Sequence, residues 1–246
     1  MNIKYYIPNF ITSLNLLSGS ISILFSLGGR HDIAAMLIFI AAFFDFFDGF
    51  AARALKAYSP MGKELDSLAD MVSFGIAPAT MLAYMMMRLE IRTDKLFGIE
   101  YIPTTSLLLI IAPLLITVFS GLRLAKFNID TRQSDTFLGL TTTATGLFIA
   151  SFGFMVYRQN DFFLTLYNRP AILTMVVIFS ALLVSEIPMF SLKFKNWVVK
   201  DNIKRYALIA FAVVAMAIFG IGGVALTIAG YVLVSIFEAL FNKITA

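Results

Sequence analysis

Four aspartates lie close together in a strongly apolar part of this sequence. The stretch from Asp45 to Asp70 reads D-F-F-D-G-F-A-A-R, then eight residues, and then G-K-E-L-D-S-L-A-D. A charged side chain in the hydrocarbon region of a membrane costs about 2.5 to 3.5 kcal/mol on insertion scales, so acids found there usually mark a functional site. The pattern therefore indicates a functional site at four residues: Asp45, Asp48, Asp66 and Asp70.

Helical geometry would place these carboxylates in two pairs, each beside small residues. At about 100° per residue, one side of the first helix carries a set of five residues: Asp45, Asp48, Gly49, Ala52 and Arg53. On the next helix an arc of about 100° holds a second set: Gly62, Asp66, Ala69, Asp70, Ser73 and Ala77. Carboxylates three and four residues apart can converge on hard cations, which prefer oxygen ligands. We predict a site for two divalent ions, Mg²⁺ or Mn²⁺, with room for a bulky polar ligand.

Two other interpretations of the four aspartates remain open at this point. The acids could be solvated at helix ends and paired with neighbouring cations, namely Arg53, Lys56 and Lys63. They could also form a proton or ion pathway, which is another use of acids within membranes. A pathway explains the carboxylates but not the glycines, alanine and arginine between them.

The same residues resemble a known family signature. The pattern Asp-x2-Asp-Gly-x2-Ala-Arg-x8-Gly-x3-Asp-x3-Asp of the CDP-alcohol phosphotransferases matches residues 45–70 at every specified position. The resemblance implies an all-α membrane enzyme, built on six core helices and forming a homodimer. Such an enzyme uses an incoming hydroxyl group and a divalent metal to displace CMP from a CDP-linked lipid or alcohol.

The resemblance also implies roles for the signature residues. The four aspartates would hold the metal, and Asp70, the last of them, would also be the general base. Arg53 would bind the pyrophosphate, although an ion pair with Asp48 or a lipid phosphate is the alternative. The remaining candidates for binding the CDP group are small or polar: Gly49, Ala52, Gly62, Thr12 and Asn15.

Three further stretches resemble the bacterial and archaeal phosphatidylserine synthases within this family. They are Ile7-Pro8-Asn9-x2-Thr12-x2-Asn15, residues 66–78 and residues 123–128, so the resemblance covers about residues 7–140. It implies CDP-diacylglycerol and L-serine as substrates. The candidates for binding serine are Arg123, Lys126, Asn128 and Ser73, although Arg123 and Lys126 could equally anchor a helix at the membrane surface.

One departure leaves the acceptor alcohol open. Related enzymes have Gly-Leu-Pro at the start of the fifth helix, whereas this chain continues Gly139 and Leu140 with three threonines, Thr141 to Thr143. Glycerol 3-phosphate, an inositol phosphate and choline are the alternative acceptors. An ion transporter that uses the four aspartates is the alternative outside enzymes.

Composition places the chain in a membrane. Hydrophobic residues make up 59% of the 246 residues and charged residues only 14%, and the mean hydropathy is +0.86. These values are too apolar for an ordinary soluble domain.

Because cysteine is absent, thiolate metal sites and cysteine nucleophiles are excluded. The net charge of +4 does not indicate nucleic acid, since the basic residues lie in short loops between apolar runs, where they contact anionic lipids.

The apolar runs predict about eight transmembrane helices in a single domain, residues 1–246. Six spans form a core at residues 7–190, with approximate bounds 10–27, 33–55, 64–88, 105–124, 137–157 and 171–190. A C-terminal pair occupies residues 205–242, because its apolar run is too long for one span and is divided by Gly220, Gly222 and Gly223.

The distribution of basic residues predicts the orientation. Most of the 19 lysines and arginines lie at the membrane face that carries the signature, if the helices alternate in direction. The positive-inside rule then places the four aspartates at the cytoplasmic face, where nucleotide substrates are found. We therefore predict a prokaryotic cytoplasmic (inner) membrane protein whose active site faces the cytoplasm.

Overall fold

Helices account for nearly all of the regular structure. A computed structural model describes residues 3–91, 103–130, 137–190, 198 and 202–245. After a 3-10 turn at Ile3–Tyr5, the helices in this part of the chain are α1 Tyr6–Leu27, α2 His31–Ala54, α3 Pro60–Asp70, α4 Ala77–Ile91, α5 Thr104–Ile111, α6 Leu115–Ile129, α7 Thr142–Tyr157, α8 Asp161–Thr165, α9 Arg169–Val184, α10 Ile203–Phe219 and α11 Gly222–Thr245.

Two of the long helices contain an irregular segment. A π-helical segment, Met71–Ile76, joins α3 to α4, and a 3-10 turn, Ala112–Leu114, joins α5 to α6. Residues 60–91 and 104–129 therefore each form one long helical unit. Pro78 is the second residue of α4, just after the π-helical segment, and its missing N–H removes one hydrogen bond of the helix. The π-helical segment and Pro78 thus interrupt the regular α-helical hydrogen bonding of residues 60–91.

The chain is an integral membrane protein. Five helical units are long and apolar enough to cross a membrane: α1, α2, residues 60–91, residues 104–129 and most of α11. Large apolar side chains on their outer surfaces are exposed, including Leu24, Phe43 and Phe46. Exposed apolar surface of this extent is expected of helices that face lipid.

The predicted all-α fold is confirmed, with shifts at several helix ends. The third helix begins at Pro60 rather than at residue 64, because Ser59 caps it by accepting a hydrogen bond from Gly62 N at 2.9 Å. α7 begins at Thr142 because residues 137–138 form a short strand, β1, that pairs with a second strand, β2, at Pro188–Met189. The division into a core and a C-terminal pair within one domain stays a prediction.

Small residues bring α1 and α7 close to the π-helical segment. A Cβ added at Gly19 of α1 would lie 2.7 Å from Ser73 Cα, and one added at Gly146 of α7 would lie 2.9 Å from Phe74 Cα. Ser73 also donates a 3.0 Å hydrogen bond to the carbonyl of Asn15, and both residues are fully buried. These contacts fix the segment that directly follows the last aspartate of α3.

Candidate metal centre and its two cavities

The first two aspartates lie on the last third of α2. Asp45 and Asp48 are three residues apart, so their side chains project from the same side of the helix. Asp48 is buried, with 5% of its surface exposed, and Asp45 is partly buried. α2 then ends at Ala54, and Lys56 adopts a left-handed conformation with φ 49°. This turn leads the chain back toward the start of α3.

The second pair lies on α3, facing the first. One carboxylate oxygen from each of Asp45, Asp48 and Asp66 can be chosen so that all three lie within 4.8 Å of one another. Asp70 is one turn further along α3, and it lines one cavity together with Asp45. The structure therefore brings all four predicted aspartates together.

The carboxylate groups fit a divalent cation. The buried oxygens Asp48 Oδ2 and Asp70 Oδ1 have no hydrogen-bond partner among the residues that the structure describes. An unpartnered buried carboxylate oxygen costs free energy unless a cation compensates its charge. The donors are all carboxylate oxygens, which are the ligands that magnesium and manganese prefer. The acidic cluster can thus hold metal.

One cavity of about 220 Å³ meets this cluster from the side of Asp48 and Asp66, and we call it the Arg53 cavity. Most of the predicted CDP-binding residues line it: Thr12, Gly49, Ala52, Arg53 and Gly62. A Cβ added at Gly49 would meet only the Arg53 guanidinium, at 3.4 Å, so this part of the helix surface is open.

Arg53 lines this cavity. Its side chain is exposed, and within the described residues it makes no salt bridge with Asp48. Its guanidinium is therefore available to an anion in the Arg53 cavity. Lys63, from the first turn of α3, lines the same cavity and adds a second positive charge.

A second cavity of about 310 Å³ meets the cluster from the side of Asp45 and Asp70, and we call it the Arg123 cavity. Its other lining residues come from α6 and from the start of α7: Arg123, Leu124, Phe127, Thr141, Thr142 and Thr143. Arg123 is buried, donates a 3.2 Å hydrogen bond to the carbonyl of Leu140, and lies 5.5 Å from the centre of the Phe127 ring. These contacts fix its guanidinium inside the protein.

Four other predicted binding residues do not line either cavity among the described residues. Asn15 and Ser73 are buried against each other behind the cluster, and the Asn15 amide has no side-chain partner in the described structure. Lys126 forms a 3.0 Å salt bridge with Glu186 at the surface. Asn128 donates a hydrogen bond to Ser67. The roles of these four residues in binding substrate stay predictions.

Sequence reasoning missed the three threonines as a possible part of the site. In the sequence they stand out only as a departure from Gly-Leu-Pro, whereas in the structure Thr141 to Thr143 form one wall of the Arg123 cavity. A signal was present, because a threonine before an apolar run is typical of a helix N-cap. Thr141 is the N-cap of α7 and accepts a hydrogen bond from Ala144 N at 3.2 Å. A capped helix start at the level of the aspartates places polar side chains beside them.

Comparison with known proteins supports a shared family. The family model described as CDP-alcohol phosphatidyltransferase matches residues 5–185. The CDP-diacylglycerol–serine O-phosphatidyltransferase of Bacillus subtilis (strain 168) is 38% identical over 149 residues, which cover 61% of this chain and 76% of that protein. The protein of the same name from Helicobacter pylori (strain 26695) is 27% identical over 216 residues, which cover 85% of this chain and 80% of that protein. Archaetidylserine synthase of Methanothermobacter thermautotrophicus is 32% identical over 148 residues, which cover 59% of this chain and 57% of that protein.

Proposed function

Because the chain belongs to the CDP-alcohol phosphatidyltransferase family, we propose that it transfers the phosphatidyl group of CDP-diacylglycerol to the hydroxyl group of L-serine and releases CMP. The observation that carries this proposal is the meeting of two separate cavities at one cluster of four aspartates. Displacement at phosphorus needs a leaving group and a nucleophile on different sides, and each cavity provides room for one of them. The names of the similar bacterial proteins favour serine as the nucleophile.

The Arg53 cavity is the site that we propose for the nucleotide. Arg53 and Lys63 would neutralise the pyrophosphate, and the open surface at Gly49 lets a nucleotide approach the helix backbone. Thr12 is nearly fully buried there, and its hydroxyl group donates a hydrogen bond to Pro8 O at 3.0 Å.

The four aspartates would hold two divalent ions, Mg²⁺ or Mn²⁺. When bound, two metal ions stabilise negative charge on the attacking and leaving oxygens of a displacement at phosphorus. The carboxylates of this chain would supply the metal ligands at the place where the two cavities meet. Two acids from α2 and two from α3 contribute, so the relative position of these helices sets the geometry of the site.

In the Arg123 cavity, the serine hydroxyl oxygen would form a bond to phosphorus while the bond from phosphorus to the CMP oxygen breaks. Asp70 lines this cavity and would accept the hydroxyl proton. Arg123 would bind the serine carboxylate, because a guanidinium matches a carboxylate with two parallel hydrogen bonds. The threonine hydroxyl groups at 141–143 provide further polar contacts for a small zwitterion.

The charge of the Arg123 cavity also favours serine over phosphorylated acceptors. Among the described residues that line it, Arg123 is the only cation. One guanidinium balances the single negative charge of a carboxylate, whereas a phosphate group with its charge near −2 calls for further cations.

We further propose that the protein lies in a prokaryotic cytoplasmic membrane with the aspartates toward the cytoplasm. The order of apolar runs in the sequence predicts most lysines and arginines at that end of the helices, as the positive-inside rule requires. A homodimer is proposed from the family resemblance.

The test is CMP release from CDP-diacylglycerol by purified protein in detergent, with magnesium or manganese present. L-serine, glycerol 3-phosphate, inositol phosphate, choline and no acceptor are compared, with Asp70→Asn as the inactive variant and Glu64→Gln, an exposed acid on the same helix, as the matched control. We expect release that needs both serine and metal, is lost in Asp70→Asn and is kept in Glu64→Gln. Release with another acceptor but not with serine would contradict the proposed acceptor.

A further inference from the structure

The C-terminal helix pair lies outside the part of the chain that the family model matches, yet it packs firmly on the core. Ser151 of α7 donates a 2.7 Å hydrogen bond to the carbonyl of Ile221 and accepts one from Ala225 N at 3.2 Å. Further along α11, Tyr231 donates a 3.1 Å hydrogen bond to the carbonyl of Phe190. α11 is therefore fixed against α7, and α10 lies alongside α11.

An apolar cleft of about 370 Å³ lies between these three helices, and we call it the α7/α10 cleft. Its walls include Ala144 and Leu147 of α7, Ala212 and Met216 of α10, and Thr227 and Ile228 of α11. The Thr227 hydroxyl group donates a 2.7 Å hydrogen bond to Gly223 O within its own helix. The Thr227 hydroxyl group is thus satisfied within its own helix, so this part of the cleft suits a hydrocarbon ligand.

The α7/α10 cleft adjoins the proposed catalytic site. Thr141 and Thr143 line both the cleft and the Arg123 cavity, where Asp45 and Asp70 are found. From Thr141 to Leu147 the cleft follows α7 for about 9 Å, since a helix rises about 1.5 Å per residue. α7 begins beside Asp45 and Asp70, and its last residues line a cavity with His31 at the start of α2, so the cleft leads from the aspartates along the membrane-spanning helices.

We propose that one acyl chain of the lipid substrate lies in the α7/α10 cleft, so that the C-terminal pair forms the lipid-binding part of the active site. This inference rests on the proposed function. The reacting phosphorus must reach the aspartates while its diacylglycerol stays in apolar surroundings, and the acyl chains are the only long apolar parts of the proposed substrates. A second apolar groove, at Tyr6 and Phe10 of α1, adjoins the Arg53 cavity instead, but it is limited to the first turns of α1 and the start of α3.

The test compares CDP-diacylglycerol with two long acyl chains and with two short ones as substrates of the full-length enzyme. Ala212→Trp fills the cleft, and Val213→Trp, on the exposed side of the same helix, is the matched control. Because apolar burial scales with the number of methylene groups, we expect Ala212→Trp to lower kcat/KM for the long-chain substrate by about tenfold relative to the short-chain substrate. We expect Val213→Trp to leave this ratio unchanged. An unchanged ratio in an active Ala212→Trp enzyme would overturn the proposal.

A second measurement uses the unmodified protein and does not depend on the variant folding. CDP-diacylglycerol with a photoactivatable diazirine in one acyl chain is irradiated with the protein, and labelled peptides are identified by mass spectrometry. Labels on α10 and α11 that unlabelled CDP-diacylglycerol prevents would support the proposal. Labels confined to α1 and α3, or labels that competition does not reduce, would overturn it. Failure of the proposed function is recognised separately, because the unmodified protein would then form no product from either substrate.

Discussion

Replacing one buried aspartate should raise the stability of the metal-free protein while removing its response to metal. Three carboxylate oxygens, from Asp45, Asp48 and Asp66, lie within 4.8 Å of one another. At an effective dielectric constant of about 20, two unit charges at 4.8 Å repel by about 3.5 kcal/mol. Asp48→Asn removes two of the three repulsive pairs with almost no change in shape. The variant should therefore unfold at a higher temperature than the unmodified protein when both are in a chelator.

Metal should reverse this order. At a metal concentration of a hundred times Kd, binding stabilises the folded protein by about 2.7 kcal/mol. For a chain of this size that corresponds to about 5 to 10 °C in Tm. We expect this gain in the unmodified protein and less than half of it in Asp48→Asn, because the variant has lost one ligand.

The assay is thermal unfolding in detergent, measured by differential scanning calorimetry. It is carried out in chelator and at each point of a manganese titration. Glu64→Gln makes the same change of charge on the exposed side of α3, and it should match the unmodified protein in both conditions. If Asp48→Asn unfolded at a lower temperature in chelator and gained as much from manganese as the unmodified protein, the cluster would not be a metal site.

Three further predictions concern the core, the acceptor and the nucleotide. Gly19→Ala would place a methyl group 2.7 Å from Ser73 Cα, so it should lower stability by about 1 to 3 kcal/mol in thermal unfolding, whereas Gly28→Ala, with its nearest atom at 3.6 Å, should not. Arg123→Lys keeps the charge but loses the planar guanidinium, so KM for serine should rise by about tenfold with little change in KM for CDP-diacylglycerol. Arg53→Gln should weaken inhibition by CDP-glycerol more than inhibition by cytidine, since only CDP-glycerol has a pyrophosphate. An equal weakening of inhibition by both compounds would contradict the role of Arg53 in binding the pyrophosphate.

The cluster of four aspartates could be predicted because it depends on residues that are close together in the sequence. Spacings of three and four residues determine which side chains share a helix face, and α2 and α3 are consecutive helices joined by a short turn. Gly49 and Gly62 followed from the same periodicity. The turn itself was predicted less well, because the capping of α3 by Ser59 extends the helix to Pro60.

The Arg123 cavity could not be predicted in full, because it depends on contacts between segments far apart in the sequence. Arg123 shared a motif with Lys126 and Asn128, but helical geometry separates the three. Arg123 turns inward to the carbonyl of Leu140, Lys126 turns outward to Glu186, and Asn128 bonds to Ser67 of α3. Periodicity alone does not determine which of several polar residues near a helix end faces a neighbouring helix.

The most direct test of the proposed reaction follows the serine hydroxyl oxygen. L-serine labelled with ¹⁸O in its hydroxyl group is incubated with CDP-diacylglycerol, the protein and manganese, and the lipid product and CMP are quantified by mass spectrometry. If the hydroxyl oxygen attacks phosphorus, phosphatidylserine should retain the label in full and should form in equal amount to CMP, and chelator should abolish both products. CMP formed without labelled phosphatidylserine would contradict the transfer to serine on which this account depends.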